Sequence, residues 1–300
     1  MLSKSLWLKL GLTSFFWAAM FYLGQYAVRF LSAESVSAWR FLLGAMVVIP
    51  LVKSTQGIDI KGIKQHFIPL LIMAIVGIGG FNLALFHGLQ HTSAMNGALI
   101  MALCPVIISL FGVLFGESFS FRQMLGLLFG LAGVVIVITQ GNLANLSAFA
   151  MQKGDLLVLL AAVCWALYST IPKRFIKNLD SLQVTVATVT MSSILLSVYA
   201  QSSQGDLLRA VPFSAVAAIG LMGLFGSGLA YIWWNDAVRS VGANTVSIFM
   251  NLVPIYTALM SVMLGQNLTV VHILGTVFVL IGVSLNTAKT SKPLALNEVK

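Results

Sequence analysis

The residues that could do chemistry in this chain are amides, aromatic rings and a few ionisable side chains inside long apolar segments. Asn82 and Phe86 share one face of a predicted helix, and the matching face of a later helix carries Tyr231 and Asn235. Polar groups within apolar helices are costly and tend to face a cavity. The predicted substrate-binding residues are Trp17, Gln25, Asn82, Phe86, Asn96, Trp165, Tyr168, Tyr231, Trp234, Asn235 and Asn251. The alternative is that these side chains only hold neighbouring helices together.

Three ionisable residues have functional interpretations of their own. Arg40 lies within an apolar segment, where it could clamp a carboxylate or phosphate, or extend to the membrane interface. His87 and Asp236 could exchange protons with a substrate, or could be interfacial. His87 and His91 have a metal-ligand spacing, but the glutamate of a zinc protease motif is missing between them. We therefore predict no metal and no cofactor.

Two prolines interrupt predicted helices, at Pro105 and Pro254. Proline removes a backbone hydrogen bond and bends a helix, so these positions could gate a cavity or could be static kinks. Glu117 opens a predicted helix at a turn, where an acid suits the helix N-terminus, and we interpret it as structural.

The composition indicates that lipid surrounds these residues. The chain has 300 residues, of which 59% are hydrophobic and 8% are charged, and its mean hydropathy is +0.97. Soluble domains carry about 25% charge. A membrane-spanning helix needs about 20 apolar residues, and the chain has ten such segments. They are roughly 7–30, 35–52, 67–88, 93–115, 121–140, 154–172, 182–201, 213–234, 243–264 and 270–287.

The basic residues predict the orientation of these segments. With the N-terminus in the cytoplasm, 13 of the 17 Lys and Arg fall in cytoplasmic loops or ends and three fall outside. The remaining one is Arg40. The net charge of +9 therefore reflects cytoplasmic loops, and no nucleic-acid partner is expected. Both chain ends are predicted to be cytoplasmic.

The chain contains an internal repeat. Residues 76–107 align without a gap to residues 225–256, at a shift of 149 positions that pairs Gly77 with Gly226 and Pro105 with Pro254. Five spans per copy is an odd number, so the second copy would enter the membrane inverted, as in secondary transporters. We predict repeats at 1–145 and 150–290 around a central cavity, followed by a cytoplasmic tail at 291–300.

Short motifs add a family resemblance. They are Trp17-Ala18, Trp39-Arg40-Phe41, Leu114-Phe115-Gly116-Glu117 and Cys164-Trp165-Ala166. With them, the chain resembles the EamA-type ten-helix transporters of the drug/metabolite transporter superfamily. It departs from the pattern at Gln266, where these transporters usually have glutamate. The resemblance implies export of amino acids, related metabolites or drugs through a cavity lined by spans one, three, four, six, eight and nine.

Together these observations predict a secondary-active exporter of amino acids or related small metabolites in a bacterial inner membrane. The predicted cavity is aromatic, rich in amides and nearly free of net charge, and protons are a candidate coupling ion. A nucleotide-sugar or phosphorylated-metabolite antiporter and a multidrug exporter are the alternatives, with an intramembrane enzyme as a distant one. We predict no catalytic activity, and a monomer or a homodimer.

Overall fold

The computed structural model describes residues 4–114, 120–139, 141, 153–242, 246–266 and 268–287, and these residues contain helices and no strands. Within these described ranges, seven helical segments are long and apolar enough to cross a membrane, and three shorter apolar helices accompany them. The predicted fold class, an all-helical membrane protein, is therefore confirmed. The count of ten spans and the position of the chain ends stay predictions.

The described residues of the first half contain eight α-helices and one π-helix. They are α1 (Lys4–Ala27), α2 (Ala33–Thr55), α3 (Ile60–Gln65), α4 (Phe67–Ile72), the π-helix π1 (Met73–Gly80), α5 (Phe81–Leu89), α6 (Ala94–Met101), α7 (Cys104–Leu114) and α8 (Phe121–Ile138). Segments α4, π1 and α5 are continuous and form one span, and α6 and α7 form the next.

The second half follows the same order in the described residues. It contains α9 (Lys153–Phe175), α10 (Ser181–Ser203), α11 (Phe213–Leu221), the π-helix π2 (Met222–Leu229), α12 (Ala230–Val241), a 3-10 helix (Ser247–Asn251), α13 (Leu252–Met263) and α14 (Val270–Thr287). The predicted boundaries near 145 and 150, the tail at 291–300 and Glu117 lie outside the described residues.

The two π-helices occupy the same place in the repeat, because Met73–Gly80 shifted by 149 positions is Met222–Leu229. π-Turns are rare and occur frequently at functional sites. Each π-helix contacts the other half through a backbone carbonyl. Ser192 donates a hydrogen bond to the Ala74 carbonyl at 3.1 Å, and the Trp17 indole donates one to the Gly226 carbonyl at 3.2 Å.

Helices α2 and α10 run antiparallel, and polar side chains join them at both ends. At one end Asp206 accepts hydrogen bonds from the Ser32 amide at 2.6 Å and from the Ser32 hydroxyl at 2.7 Å. At the other end the Gln183 side chain donates to the Gly57 carbonyl at 2.8 Å and accepts from the Asp59 amide at 2.9 Å. The start of α2 is thus bonded to the segment after α10, and the start of α10 is bonded to the segment after α2.

Helices α8 and α14 form the most extensive helix–helix contact among the described elements, and glycines line it. A methyl group on Gly133 would lie 2.7 Å from the Gly275 carbonyl oxygen, and one on Gly282 would lie 2.6 Å from the Gly126 carbonyl oxygen. Gly126 and Gly133 correspond to Gly275 and Gly282 in the repeat, so the close approach is reciprocal. Small residues let helix backbones approach this closely in membranes. We call this contact the glycine seam.

Candidate functional site

A small central pocket lies where the two halves meet. Its volume is about 30 Å³, and its lining includes Trp17 of α1, Arg40 of α2, Phe81 of α5 and Trp165 of α9. The other lining residues are Met20, Phe21, Leu85, Met101, Tyr231, Met250 and Val253. All six spans that the resemblance implies contribute a side chain, and the second span adds Arg40.

Five of the eleven lining residues are aromatic, and their rings pack against one another and against Trp234. The rings of Trp17 and Trp165 are 5.1 Å apart, and those of Trp17 and Trp234 are 5.0 Å apart. The ring of Tyr231 lies 5.6 Å from that of Trp165. Both halves of the chain supply rings, since Trp17 belongs to α1, Trp165 to α9 and Tyr231 to α12. Phe81, 5.4 Å from Trp165, was not among the predicted residues because a single Phe in an apolar helix carries no distinguishing signal.

Arg40 is fully buried in this pocket wall. Its Nε donates to the Ser227 hydroxyl and its Nη1 donates to the Asn82 side-chain oxygen, both at 2.6 Å. The guanidinium also lies over the Phe41 and Phe86 rings, at 5.2 Å and 5.8 Å. Arg40 therefore does not extend to the membrane interface, and the expectation of a cavity nearly free of charge has to be corrected.

Several polar groups at the pocket lack a hydrogen-bond partner among the described residues. They are the Arg40 Nη2 and the Trp165 and Trp234 indole nitrogens. No carboxylate pairs with Arg40 in the described part of the chain. A buried donor without an acceptor costs about 1–3 kcal/mol, and more when it is charged. The pocket thus presents unused donors, which suit a ligand that carries acceptor oxygens.

Three of the predicted residues lie close to this pocket but outside its lining. Asn235 donates to the Tyr168 hydroxyl at 3.0 Å and to Thr185 at 2.8 Å, and Tyr168 stacks on Trp165. The side-chain oxygen of Asn251 is buried without a partner, between the lining residues Met250 and Val253. None of Asn235, Tyr168 and Asn251 is in the lining.

Two predicted amides lie further away. Gln25 donates to the Thr92 carbonyl at 3.1 Å, and Asn96 contacts His272 at 3.3 Å. Both side chains hold neighbouring segments together in this conformation, which is the alternative that the sequence left open. The expected amide-rich lining is not observed. Among the predicted amides, Asn82 is linked to the lining by its hydrogen bond with Arg40.

His87 pairs with a residue that the sequence analysis did not identify. Its Nε2 lies 3.1 Å from Glu34 Oε1 in a polar vestibule at the start of α2, separate from the central pocket. Glu34 could not be singled out from sequence, since an acid in a first helical turn is common and His87 lies 53 residues away. Asp236 lies in α12, in the other half. Among the described residues no group of three or more His, Cys, Asp or Glu could hold a metal.

Both prolines lie next to helix interruptions. Helix α6 ends at Met101 and α7 begins at Cys104, directly before Pro105. In the second half a 3-10 helix ends at Asn251, and α13 begins at Leu252, before Pro254. The interruptions are matched in the repeat. Their role in gating stays a prediction.

Comparison with known proteins agrees with this architecture. Residues 6–139 and 152–288 each match the model of the EamA-like transporter family. The chain is 35% identical over 272 residues to the uncharacterized transporter YyaM of Bacillus subtilis (strain 168), covering 90% of this chain and 89% of that protein. It is 26% identical over 285 residues to an uncharacterized transporter of Archaeoglobus fulgidus, covering 94% and 97%.

A solved crystal structure has the same fold, with a TM-score of 0.68 at 19% identity, covering 92% of this chain and 94% of that one. The family match extends over both halves and contains the residues of the central pocket. The chain is a multi-pass membrane transporter that belongs to the EamA-like transporter family.

Proposed function

We propose that this chain is a secondary-active transporter that exports amino acids or related small carboxylates by alternating access across a bacterial cytoplasmic membrane. In this proposal both chain ends are cytoplasmic, and the two halves form an inverted pair around the central pocket. The direction of transport comes from the resemblance to exporters. The substrate class comes from the chemistry of the pocket.

The observation that carries the proposal is the unpaired guanidinium of Arg40. Arginine stays protonated, and its planar fork matches a carboxylate. A buried charge without a counter-ion is strongly unfavourable in a low-dielectric site. A substrate carboxylate would accept from Nη2, while Ser227 and Asn82 hold the other guanidinium nitrogens in place. The ring wall would contact an apolar side chain.

The pocket has to open for this to happen. Its volume of about 30 Å³ is far below the roughly 300–1,000 Å³ that is typical of ligand pockets. The structure is therefore that of a nearly closed pocket. Bending at the matched interruptions before Pro105 and Pro254 would widen it toward one side at a time.

An antiporter for nucleotide-sugars or phosphorylated metabolites is the second candidate, since Arg40 would also bind a phosphate. Such substrates carry more negative charge than one arginine balances, and Arg40 is the only cation in the described lining. A multidrug exporter of lipophilic cations ranks lower still, because Arg40 would repel them. An intramembrane enzyme has no support in the pocket chemistry.

Flux into proteoliposomes tests the proposal and its alternatives. The panel comprises amino acids, nucleotide-sugars and cationic dyes, with and without a pH gradient. We expect uptake of amino acids. Uptake of a phosphorylated sugar without amino-acid uptake would instead favour the second candidate, and an effect of the gradient would test protons as the coupling ion.

Substitution of Arg40 tests the binding mode. Arg40→Lys keeps the charge but loses the planar fork, and we expect the KM for an amino acid to rise about tenfold, equivalent to about 1.4 kcal/mol. Arg40→Gln should raise it further. Folded yield and thermal stability of each variant provide the control. An unchanged KM in a folded Arg40→Gln variant would contradict carboxylate binding at this residue.

A further inference from the structure

A second, polar cavity lies at the start of α2, about 370 Å³ in volume, and we call it the Glu34 vestibule. Its lining includes Glu34 of α2, His87 of α5, Arg29 of the connection after α1, and Asp206 and Arg209 of the connection after α10. Both arginines belong to segments that the charge distribution predicts to be extracellular. The vestibule thus combines charges of both signs on the predicted outer side.

Glu34 is the buried charge of this vestibule. The residue is only 4% exposed, and its Oε1 contacts His87 Nε2 at 3.1 Å. Its Oε2 is buried and has no hydrogen-bond partner. A buried carboxylate oxygen without a donor is costly, so this atom has an unmet requirement for a donor that a ligand could supply.

The repeat shows that helix packing does not require an acid here. Helix α2 has its N-cap at Ser32 and helix α10 at Asp180, and glycines with positive φ follow the two helices at Gly57 and Gly205. Both pairs are 148 positions apart, so the residue equivalent to Glu34 in the second half is Leu182. An uncharged side chain therefore suffices at this place in the fold.

We propose that Glu34 binds the protonated amino group of the substrate in this vestibule, through Oε2. The proposal rests on the proposed function and narrows its substrates to zwitterions. An ammonium group supplies the donor that Oε2 lacks. Arg29 and Arg209, both exposed, line the same vestibule and would attract the substrate carboxylate. Protonation of Glu34 would not meet the same requirement, because a protonated Oε2 would be a hydrogen-bond donor without an acceptor.

The test compares binding of n-butylammonium and its uncharged analogue n-butanol to the purified protein in detergent at neutral pH, by calorimetry. We expect the parent to prefer the ammonium, and Glu34→Gln to lose at least about tenfold in affinity for it, since hydrogen bonds to charged groups are strong. Glutamine has nearly the same shape as glutamate, and the equivalent residue of the second half, Leu182, is uncharged, so the variant should fold. Binding of n-butanol should stay unchanged.

Asp206→Asn is the matched control, because it removes a second negative charge whose oxygens already accept hydrogen bonds from Ser32 and Ser35. It should retain the preference for the ammonium. Equal affinities in the parent and in Glu34→Gln, or an equal loss in both variants, would overturn the assignment. A pH dependence of flux that is altered in Glu34→Gln, with unchanged ammonium binding, would overturn it in favour of a proton site formed with His87 and influenced by Asp206, Arg29 and Arg209.

The two proposals can fail separately. If proteoliposomes take up no amino acid and Glu34→Gln still loses ammonium binding, then the proposed function fails and the ammonium site stands. If amino acids are transported but the parent and Glu34→Gln bind the ammonium equally well, then the ammonium site fails and the proposed function stands.

Discussion

At the scale of single residues, each of the two proposed sites contains a buried charged side chain with an atom that lacks a hydrogen-bond partner. Most buried hydroxyls bond a carbonyl one turn back along their own helix, as Ser169 does to Trp165 and Thr188 does to Val184. Arg40 and Glu34 differ, since each keeps a buried polar atom without a partner, as Asp155 and a few uncharged residues also do. Buried polar groups are normally paired, so these two atoms mark positions where a ligand would complete the structure.

Asp206 shows the opposite condition, in which a carboxylate is fully used. Its partial burial acts to raise the pKa, but the hydrogen bonds from Ser35 and Ser32 outweigh this effect, and the pKa of Asp206 lies below its ordinary value. A lowered folded-state pKa stabilises the fold above the unfolded-state pKa of about 3.9. This stabilisation is lost as the pH falls through the folded-state value.

We therefore predict that Asp206→Asn destabilises the protein at neutral pH, on the order of 1 kcal/mol, as for loss of a helix N-terminal cap. The difference between variant and parent should shrink as the pH falls below about 4. Thermal unfolding in detergent across this pH range measures it. A difference that grows on acidification would contradict the assigned pKa direction.

At the scale of elements, the repeat places equivalent features in both halves. The π-helices, the interruptions before the prolines and the glycines of the seam all recur at a shift of 149 positions. Each feature contacts its counterpart or the opposite half, as when Gly133 approaches Gly275 and Gly282 approaches Gly126. The elements thus explain why the glycines and prolines recur together in the two copies.

The glycine seam gives a prediction at this scale. Gly133→Val should destabilise the protein by about 1–3 kcal/mol, as overpacking does elsewhere, because the added atoms would meet the backbone of α14. Gly220→Ala is the control, since a methyl group there would have nothing within 4 Å. Thermal unfolding of both variants checks this. Equal stability of Gly133→Val and the parent would contradict the close approach.

At the scale of the whole molecule, hydropathy predicted the order of the helices well. Every predicted apolar segment coincides with helix in the described residues, because about 20 apolar residues in lipid have no other way to satisfy their backbone. The short helix Ile60–Gln65 was missed, since it is polar and too brief for that argument. The π-helices were missed as well, because the choice between α and π depends on a small change in hydrogen-bond register that composition does not encode.

The site was predicted less completely than the fold. The aromatic residues Trp17, Trp165 and Tyr231 do line one pocket, whereas Gln25 and Asn96 bond neighbouring segments. An amide on a helical stripe can face either a cavity or a neighbouring helix, and only the rotation of the helix decides. That rotation depends on contacts between distant segments, which a single sequence does not reveal.

The predicted topology is testable on the intact protein. The native cysteines Cys104 and Cys164 are buried and free, so they can be replaced by alanine. In that background we expect Arg209→Cys to react with an impermeant maleimide from outside the cell, and Lys61→Cys to react only after permeabilisation. Reaction of both from the same side would contradict the inverted arrangement, and tags on both chain ends provide an independent check.

The glycine seam also constrains how the proposed cycle can proceed. Two backbones in such close contact leave no room for a lipid tail or a substrate between them, so α8 and α14 would stay together in every conformation. The halves would then turn about this line as about a pivot, and the widest displacements would fall on the helices farthest from it. A probe pair across α8 and α14 should accordingly keep a constant separation during turnover.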